Sequence, residues 1–171
     1  MTVTFDSPLA FALHLAERAA AVEVAAHEWL DLAAAVVERA AKDQIGSYQD
    51  ATGPFPAWQE LAASTKADRV RQGYPENEPL LREGDLRDSI AHEVIGLEAV
   101  IGSASDIASY QELGTATIPP RPFLGPAALK SKERIGKILG LAVAEAIMYG
   151  DAGYSVRLGD YEGVDPEGAK G

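Results

Sequence analysis

The longest pattern in the chain is an alanine-rich stretch near its amino terminus that favours a helix. Ser7-Pro8 marks the start, since serine caps helices and proline is favoured at the first helical position. No glycine or proline interrupts residues 9–45, and Gly46 predicts the end. A continuous helix of this length would span roughly 55 Å. A break near residues 27–31, which gives two helices, is the alternative.

Shorter patterns in the rest of the chain predict a hairpin and further helices. Residues 57–72 predict a short helix, or a helix with a connector, that carries Trp58. In residues 89–103 apolar side chains alternate with others on both sides of Gly96, which predicts an antiparallel β-hairpin. Apolar residues then recur at helical spacing over residues 125–149, which predicts a second long helix.

A proline-rich stretch of residues 110–127, called the proline segment below, lies between the hairpin and the closing helix. Proline fixes φ and removes a backbone donor, so the central part of this stretch, IPPRPF at residues 118–123, is neither a helix interior nor a central strand. It predicts a rigid extended segment of polyproline type, with Ile118 and Phe123 as apolar anchors and Arg121 between them. Such a segment either locks one element onto another or presents a contact surface.

Composition and charge argue against several classes of function for this protein. The chain has 171 residues, 47% of them hydrophobic, which is enough for one packed domain. It has no cysteine, which excludes disulfides, thiolate metal sites and cysteine nucleophiles. The net charge of -11 argues against a general nucleic-acid binder, because phosphate neutralisation requires clustered lysine and arginine. No uncharged apolar stretch reaches about 18 residues and no basic leader is present, so neither a membrane span nor a signal peptide is expected.

No arrangement of reactive side chains predicts a catalytic site, a metal site or a cofactor. His14, His27 and His92 are far apart, and none lies in a metal-ligand spacing. The sequence lacks Gly-x-Ser-x-Gly, a phosphate-binding glycine-lysine loop and a dinucleotide fingerprint. Glu76 and Glu78 lie close together in a proline-rich loop, which is typical of a solvated face. A basic run, more typical of a solvated face or an inter-subunit ion-pair donor than of nucleic-acid contact, comprises Lys130, Lys132, Arg134 and Lys137.

Four short motifs occur along the chain in a distinctive order. They are WQEL at residues 58–61, LLREGDLRDSI at 80–90, YQELGT at 110–115 and PPRPFLGP at 119–126. No one of them is specific, but the four in this order resemble the tailed-phage virion-morphogenesis and tail-completion family of small neck proteins. The resemblance covers about residues 20–148.

The resemblance implies an α+β fold, with a small antiparallel β-sheet flanked by a long N-terminal helix and a C-terminal helix. Residues 1–149 are expected to form a single neck-protein domain, and residues 150–171 a glycine-rich tail whose ordering on assembly the sequence leaves open. The predicted length of the first helix also favours assembly. A helix of roughly 55 Å cannot be fully covered by a domain of this size, so neighbouring subunits should bury part of it.

The function implied by the resemblance is structural and not enzymatic. The protein would be made in the host cytoplasm and then join a homo-hexameric ring in the virion neck, where it completes the tail and joins head to tail. Expected partners are an adaptor or stopper, a tail terminator and the tail tube, with DNA passing through the ring without sequence-specific binding. The alternatives are a neighbouring stopper or tail-terminator ring, a soluble acidic adaptor module, or an enzyme that uses acidic residues.

Within this interpretation the proline segment carries the expected subunit contacts. Arg121 suits a bidentate pair with a neighbour's carboxylate, and Phe123 suits an apolar anchor. The full set of expected contacts is Tyr110, Pro119, Pro120, Arg121, Pro122 and Phe123. The expected turn glycines are Gly84, Gly114 and Gly125. The expected core residues are Trp58, Leu61, Leu81, Leu86, Ile90, Ile101, Ile138 and Ile147.

Overall fold

The computed structural model describes residues 4–149, and the tail of residues 150–171 lies outside the described residues. The α+β class is confirmed: long helices at both ends enclose a two-stranded antiparallel sheet in chain order. The elements are α1 (Pro8–Gln44), α2 (Ala63–Arg71), α3 (Asp85–Asp88), β1 (Ile90–Ile95), β2 (Glu98–Ser103), α4 (Asp106–Leu113) and α5 (Leu124–Tyr149).

Helix α1 is continuous over 37 residues, so the alternative of two helices is wrong. The Ser7 hydroxyl accepts a hydrogen bond from the Ala10 amide at 3.1 Å, which satisfies one of the free donors of the first turn. At the other end Gly46 adopts a φ of +99°, and its amide donates to the Pro79 carbonyl at 2.9 Å. The predicted start and stop of α1 are therefore confirmed.

Helix α1 is the central element, with the hairpin on one side and α5 on the other. Asp31 and Glu38 face the hairpin, where His92 contacts both. Trp29 and Val36 face α5. The two pairs are offset by two positions, which corresponds to about 200° around a helix, so the two neighbours occupy opposite sides.

Two hydrophobic clusters line the contact between α1 and α5. One lies at the end of α1 and brings together nine buried residues: Val37, Ala41, Ile45, Trp58, Leu86, Ile90, Ala108, Phe123 and Ala127. The second lies nearer the start of α1 and comprises Trp29, Ala33, Val36, Ile138 and Ala142. Because the start of α5 packs at the end of α1, the two helices run antiparallel.

The predicted hairpin is confirmed with a definite register. Ile95 pairs with Glu98, which leaves a two-residue turn whose Gly96 has a φ of +61°. A positive φ favours glycine at this position. Successive side chains alternate between faces, so His92 is half-buried towards α1 whereas Glu93 is exposed.

Of the two alternatives for residues 57–72, the helix with a connector is confirmed: residues 57–62 are not helical, and the helix begins at Ala63. The amide of Trp58 instead donates to the Gln49 carbonyl at 2.8 Å. The carbonyls of Gln59 and Glu60 accept hydrogen bonds from the distant Arg121. These tertiary bonds hold the chain extended where local sequence favours a helix.

The predicted core is confirmed in part. Trp58, Leu86, Ile90 and Ile138 are buried. Three other predicted core residues are only half-buried: Leu61, Leu81 and Ile101. The side chain of Ile147 lies outside the described part of the chain.

Two of the three predicted turn glycines occupy turns. Gly84 has a φ of +100° before α3, and Gly114 has a φ of +74° after α4. The prediction for Gly125 is wrong, because this residue lies inside the first turn of α5. A Cβ added there would lie 2.3 Å from the ring of Phe55, so Gly125 is required for close packing rather than for a turn.

Candidate functional site

The proline segment packs into its own subunit. Phe123 is 0% exposed and Arg121 is 5% exposed, and Pro122 is also buried. The expectation that these three side chains contact a neighbouring subunit is therefore wrong for the folded subunit, because they have no surface to offer. Their burial assigns them to the first of the two roles a rigid segment can have, which is to lock one element onto another.

The guanidinium of Arg121 anchors the segment to the extended chain before α2. Its Nε and one terminal nitrogen donate to the Gln59 carbonyl at 3.3 and 3.0 Å, and the same terminal nitrogen lies 3.3 Å from the Glu60 carbonyl. Burial lowers the pKa of the Arg121 guanidinium below its usual range. Backbone carbonyls thus take the place of the carboxylate that the sequence led us to expect.

The carboxylate of Glu112 caps helix α5 from outside that helix. Its two oxygens accept from the amides of Phe123, Leu124 and Gly125 at 2.7, 3.0 and 3.0 Å. The next residue, Pro126, has no amide hydrogen. Every free donor of the first turn of α5 before Ala127 is thereby satisfied, and a negative group sits at the positive end of the helix dipole.

Two buried side chains hold the carbonyls of the proline segment. The indole nitrogen of Trp58 donates to the Pro122 carbonyl at 2.9 Å. The side-chain amide of Gln44, at the end of α1, donates to the Phe123 carbonyl at 2.9 Å. Buried carbonyls need such partners, so the path of the segment is fixed by α1 and by the chain before α2 together.

A tight turn leads from α4 into the proline segment. The Thr115 amide donates to the Ile118 carbonyl at 2.9 Å, and the Thr115 hydroxyl accepts from the Ile118 amide at 3.0 Å. A Cβ at Gly114 would lie 2.9 Å from both the Ile118 carbonyl oxygen and the Pro120 nitrogen. Glycine is therefore required here both by space and by its positive φ.

The surface that the segment leaves open is formed mainly by α4, with Pro120 beside it. Tyr110 remains exposed, as expected for a contact residue, while Pro119 is half-buried and Pro120 exposed. Ile107 and Leu113 are exposed beside Tyr110 on α4. The three α4 side chains make an apolar stripe one helix face wide.

A cleft of about 860 Å³, called the α4 groove below, lies next to this stripe. This open cleft is lined by α2 and the chain before it, by α3 and the loop before it, by α4 and by the proline segment. Its lining includes Leu61, Arg82, Leu86, Ile107, Gln111 and Ile118. The groove has the size of a small-ligand pocket or of a cleft for a few side chains of another protein.

The start of α1 is only partly covered by the described residues. Of the described side chains in residues 8–28, called the arm below, none is buried, and Trp29 is the first buried residue of α1. Four large apolar side chains at the tip of the arm are between 47% and 69% exposed: Leu9, Phe11, Leu13 and Leu15.

The histidines are dispersed, and one of them joins the hairpin to α1. His92 contacts Glu38 through Nδ1 and Asp31 through Nε2, the latter at 3.2 Å. Burial of Glu38 raises its pKa, but hydrogen bonds from Lys42 and His92 outweigh burial, so the pKa lies below the ordinary value of 4.5. This cluster is an electrostatic link between two elements.

Other candidate chemistry lies apart from the proline segment. The described residues contain no group of three histidine, aspartate or glutamate side chains that could hold a metal ion. None of the helices over residues 4–149 is long and apolar enough to cross a membrane. Lys130 donates to the side chain of Gln49 at 3.3 Å, and the other members of the basic run, Lys132, Arg134 and Lys137, are exposed on α5.

Sequence reasoning missed Glu112 and Gln44, which hold the segment in place. A signal for Glu112 was present: the residues before α5 include no serine, threonine, aspartate or asparagine to cap a helix that starts at Leu124. A cap from elsewhere in the chain was therefore required. No comparable signal exists for Gln44, whose partner Phe123 is 79 residues away.

Comparison of the chain with protein-family models, with curated proteins and with solved structures finds no match. The resemblance to phage neck proteins rests on the four motifs and their order.

Proposed function

We propose that this protein is a structural component of the neck of a tailed phage or phage-like particle. It forms a ring of about six subunits at the head–tail joint and is needed for tail completion and for joining head to tail. DNA passes through the ring, and the ring does not bind it sequence-specifically. The protein acts through its contacts and catalyses no reaction.

The observation that carries the proposal is the exposed arm of α1. Monomeric soluble proteins rarely expose contiguous apolar patches of more than a few hundred Å². Here the tip of one helix exposes Leu9, Phe11, Leu13 and Leu15 together. A subunit that functions within an assembly can have such a surface, because neighbouring subunits bury it in the assembled state.

The architecture of the four motifs supports the proposal in a second way. Trp58 of the first motif donates to Pro122 of the fourth, and Glu112 of the third caps the helix that follows the fourth. Leu86 and Ile90 of the second motif share a core with Phe123. The motifs that carry the resemblance therefore form one connected unit, which gives their order along the chain a physical basis.

The proposal is tested by removing the gene from the phage or prophage that encodes this protein. Negative-stain images should show filled heads and separate tails, and expression of the wild-type chain from a plasmid should restore joined particles. Joined, infectious particles in the absence of the protein would contradict the proposal.

The same images separate the neighbouring roles. Loss of a stopper ring would give heads that have released their DNA, because a stopper retains it. Loss of a tail terminator would give tails of irregular length, because a terminator ends their growth. A soluble adaptor with no place in the particle would leave both heads and tails unchanged.

A further inference from the structure

The basic run of α5 differs from the other positive charges of the described chain. Every described lysine and arginine outside α5 takes part in a hydrogen bond or another interaction within the chain. By contrast, Lys132, Arg134 and Lys137 form no hydrogen bond or ion pair with residues 4–149. Lys130 bonds only to the neutral side-chain amide of Gln49. Four cations within eight residues thus lack a carboxylate partner among the described residues, in a chain whose net charge is -11.

Three of these cations share one face of the helix, called the basic face below. Arg134 and Lys137 lie four and seven positions after Lys130, which places all three within about 60° around α5. Leu141, one turn further on, continues this face and is 44% exposed. Lys132 lies about 200° away from Lys130 around the helix. The basic face is therefore a narrow strip of cations that ends in an apolar side chain.

The chain itself contains charge that is complementary to this strip. Residues 160–167, DYEGVDPE, called the acidic segment below, hold four carboxylates and no lysine or arginine. Residues 150–159 connect α5 to this segment, and within them apolar side chains alternate with others over residues 154–158. The acidic segment and the basic run thus match in charge density, with four charges of opposite sign in eight residues each.

The acidic segment can reach the basic face of its own subunit. Lys137 lies 12 positions before the end of α5 at Tyr149, which is about 18 Å along the helix. Lys130 lies about 28 Å from Tyr149 by the same measure. Asp160 follows Tyr149 by 11 positions, and an extended chain of that length spans up to about 36 Å. The connecting residues are therefore long enough for a turn and a return along α5.

The order of residues favours a return along this face. A chain that turns back after Tyr149 passes Leu141 before it passes Lys137. In the sequence that follows α5, the alternating apolar stretch likewise comes before the acidic segment. On such a path apolar side chains meet the apolar end of the strip, and carboxylates meet its cations.

We propose that the acidic segment folds back and binds the basic face of α5 in the same subunit. A single ion pair at a surface contributes little, but the tether holds the segment at a millimolar effective concentration and several pairs act together. The contact covers the basic face, so an acidic partner, nucleic acid included, has to displace the segment first. It lies within one subunit and does not depend on the proposed place in the neck.

Zero-length cross-linking with a carbodiimide tests the contact on the wild-type chain, because this reagent joins a lysine amine to a carboxylate that touches it. Equal amounts of unlabelled and nitrogen-15-labelled protein are mixed at about 10 μM, where a contact of millimolar Kd between copies is not populated. Mass spectrometry then identifies the linked peptides. Links within one subunit join peptides of the same label, whereas links between copies include pairs of mixed label.

We expect same-label links from Lys130 and Lys137 to the acidic segment, and few from Lys132. Their yield should fall about fivefold in about 0.5 M sodium chloride, because salt screens exposed charges.

Lysine acetylation followed by mass spectrometry provides an independent measurement. A neutral-tail variant removes the charge of the acidic segment through Asp160→Asn, Glu162→Gln, Asp165→Asn and Glu167→Gln. The acetylation rates of Lys130 and Lys137 should rise about threefold in this variant, which corresponds to a segment that is bound about two thirds of the time. The rate of Lys132, on another face of the same helix, should not change.

A control variant loses the same amount of charge at exposed positions of α1 and the hairpin. Its substitutions are Glu17→Gln, Glu23→Gln, Glu93→Gln and Glu98→Gln. Because its net charge equals that of the neutral-tail variant, it separates loss of the contact from a general change in electrostatic potential. All three acetylation rates should match those of the wild-type chain.

Several results would overturn the inference. Mixed-label links between the acidic segment and α5 would mean that the segment binds a second copy. Mixed-label links from Glu93 or Glu98 to the basic face would make the hairpin of a neighbour its partner. Links spread equally over Lys130, Lys132 and Lys137, or none from the acidic segment, would exclude a specific contact. Equal acetylation rates in the wild-type chain and the neutral-tail variant would show that the basic face is open to nucleic acid.

Discussion

The two ends of α1 differ in burial: the carboxyl end is packed inside the subunit, whereas the amino end is largely exposed. At its carboxyl end, Gln44, Trp58 and Arg121 use their polar atoms on backbone carbonyls of the same subunit, and Phe123 fills the core beneath them. At its amino end the arm has no buried described side chain. One end of the helix is completed by the fold, and the other is left open to a partner.

The rigid part of the subunit lies at the end of α1, and the surface available for assembly lies at its start. Opening the proline segment would expose buried carbonyls and a buried guanidinium, each of which costs free energy when it loses its partner. The arm has few such long-range bonds within the subunit, so its apolar side chains are available for a neighbour without breaking the fold. Local stability therefore falls along α1 from its end towards its start.

The largest expected effect is at Phe123. Phe123→Ala removes a fully buried ring and should lower the free energy of unfolding by about 3–5 kcal/mol. Phe11→Ala removes the same side chain from the exposed arm and should cost less than about 1 kcal/mol. Urea unfolding followed by circular dichroism measures both. Equal losses at the two positions would contradict the contrast between the ends of α1.

Next in size is the anchor at Arg121. Arg121→Ala removes a buried side chain together with its charged hydrogen bonds to the carbonyls of Gln59 and Glu60, and should cost about 2–3 kcal/mol. Arg71→Ala is the matched control, because the Arg71 side chain is 77% exposed and pairs with Asp68 at the surface. Its loss should cost less than about 0.5 kcal/mol. The same urea titration measures both variants. A small loss of stability in Arg121→Ala would contradict the role of Arg121 as a buried anchor of the proline segment.

The sequence predicts those elements whose signal is local. The limits of α1 follow from Ser7 and Gly46, and the hairpin follows from alternation around Gly96. These features depend on residues within a few positions of one another. The rigid character of the proline segment is also local, because proline imposes it on the backbone directly.

The direction in which the segment faces could not be predicted. Arg121 bonds to Gln59, 62 residues earlier, and Trp58 bonds to Pro122, 64 residues later. No pattern within the segment distinguishes an arginine that pairs with a neighbouring subunit from one that binds carbonyls inside its own. The same long-range bonds keep residues 59 and 60 extended, which explains why α2 begins only at Ala63 and why the sequence left a helix and a helix with a connector open as alternatives.

A moderate effect is expected at the cap of α5. Glu112→Gln retains the size of the side chain but removes the charge, so the three amides lose a charged acceptor and the helix dipole loses a favourable partner. The cost should be about 1–2 kcal/mol, in the range of other helix caps. Glu98→Gln, at an exposed position of the hairpin, should be neutral within about 0.5 kcal/mol. Equal stability of the two variants would show that the cap is dispensable.

The smallest expected effect is the pH dependence of the link between the hairpin and α1. Because the pKa of Glu38 in the folded state lies below 4.5, its carboxylate stabilises the fold above this pH. That contribution is lost as the pH falls through the lower pKa of the folded state, when protonation weakens the contacts with Lys42 and His92. The advantage of the wild-type chain over Glu38→Gln should therefore shrink by up to about 1 kcal/mol between about pH 5.5 and pH 3. Urea titrations across this range, below the ordinary titration range of histidine, measure the difference. An advantage that stays constant or grows towards pH 3 would mean that Glu38 is not held as a carboxylate by these partners.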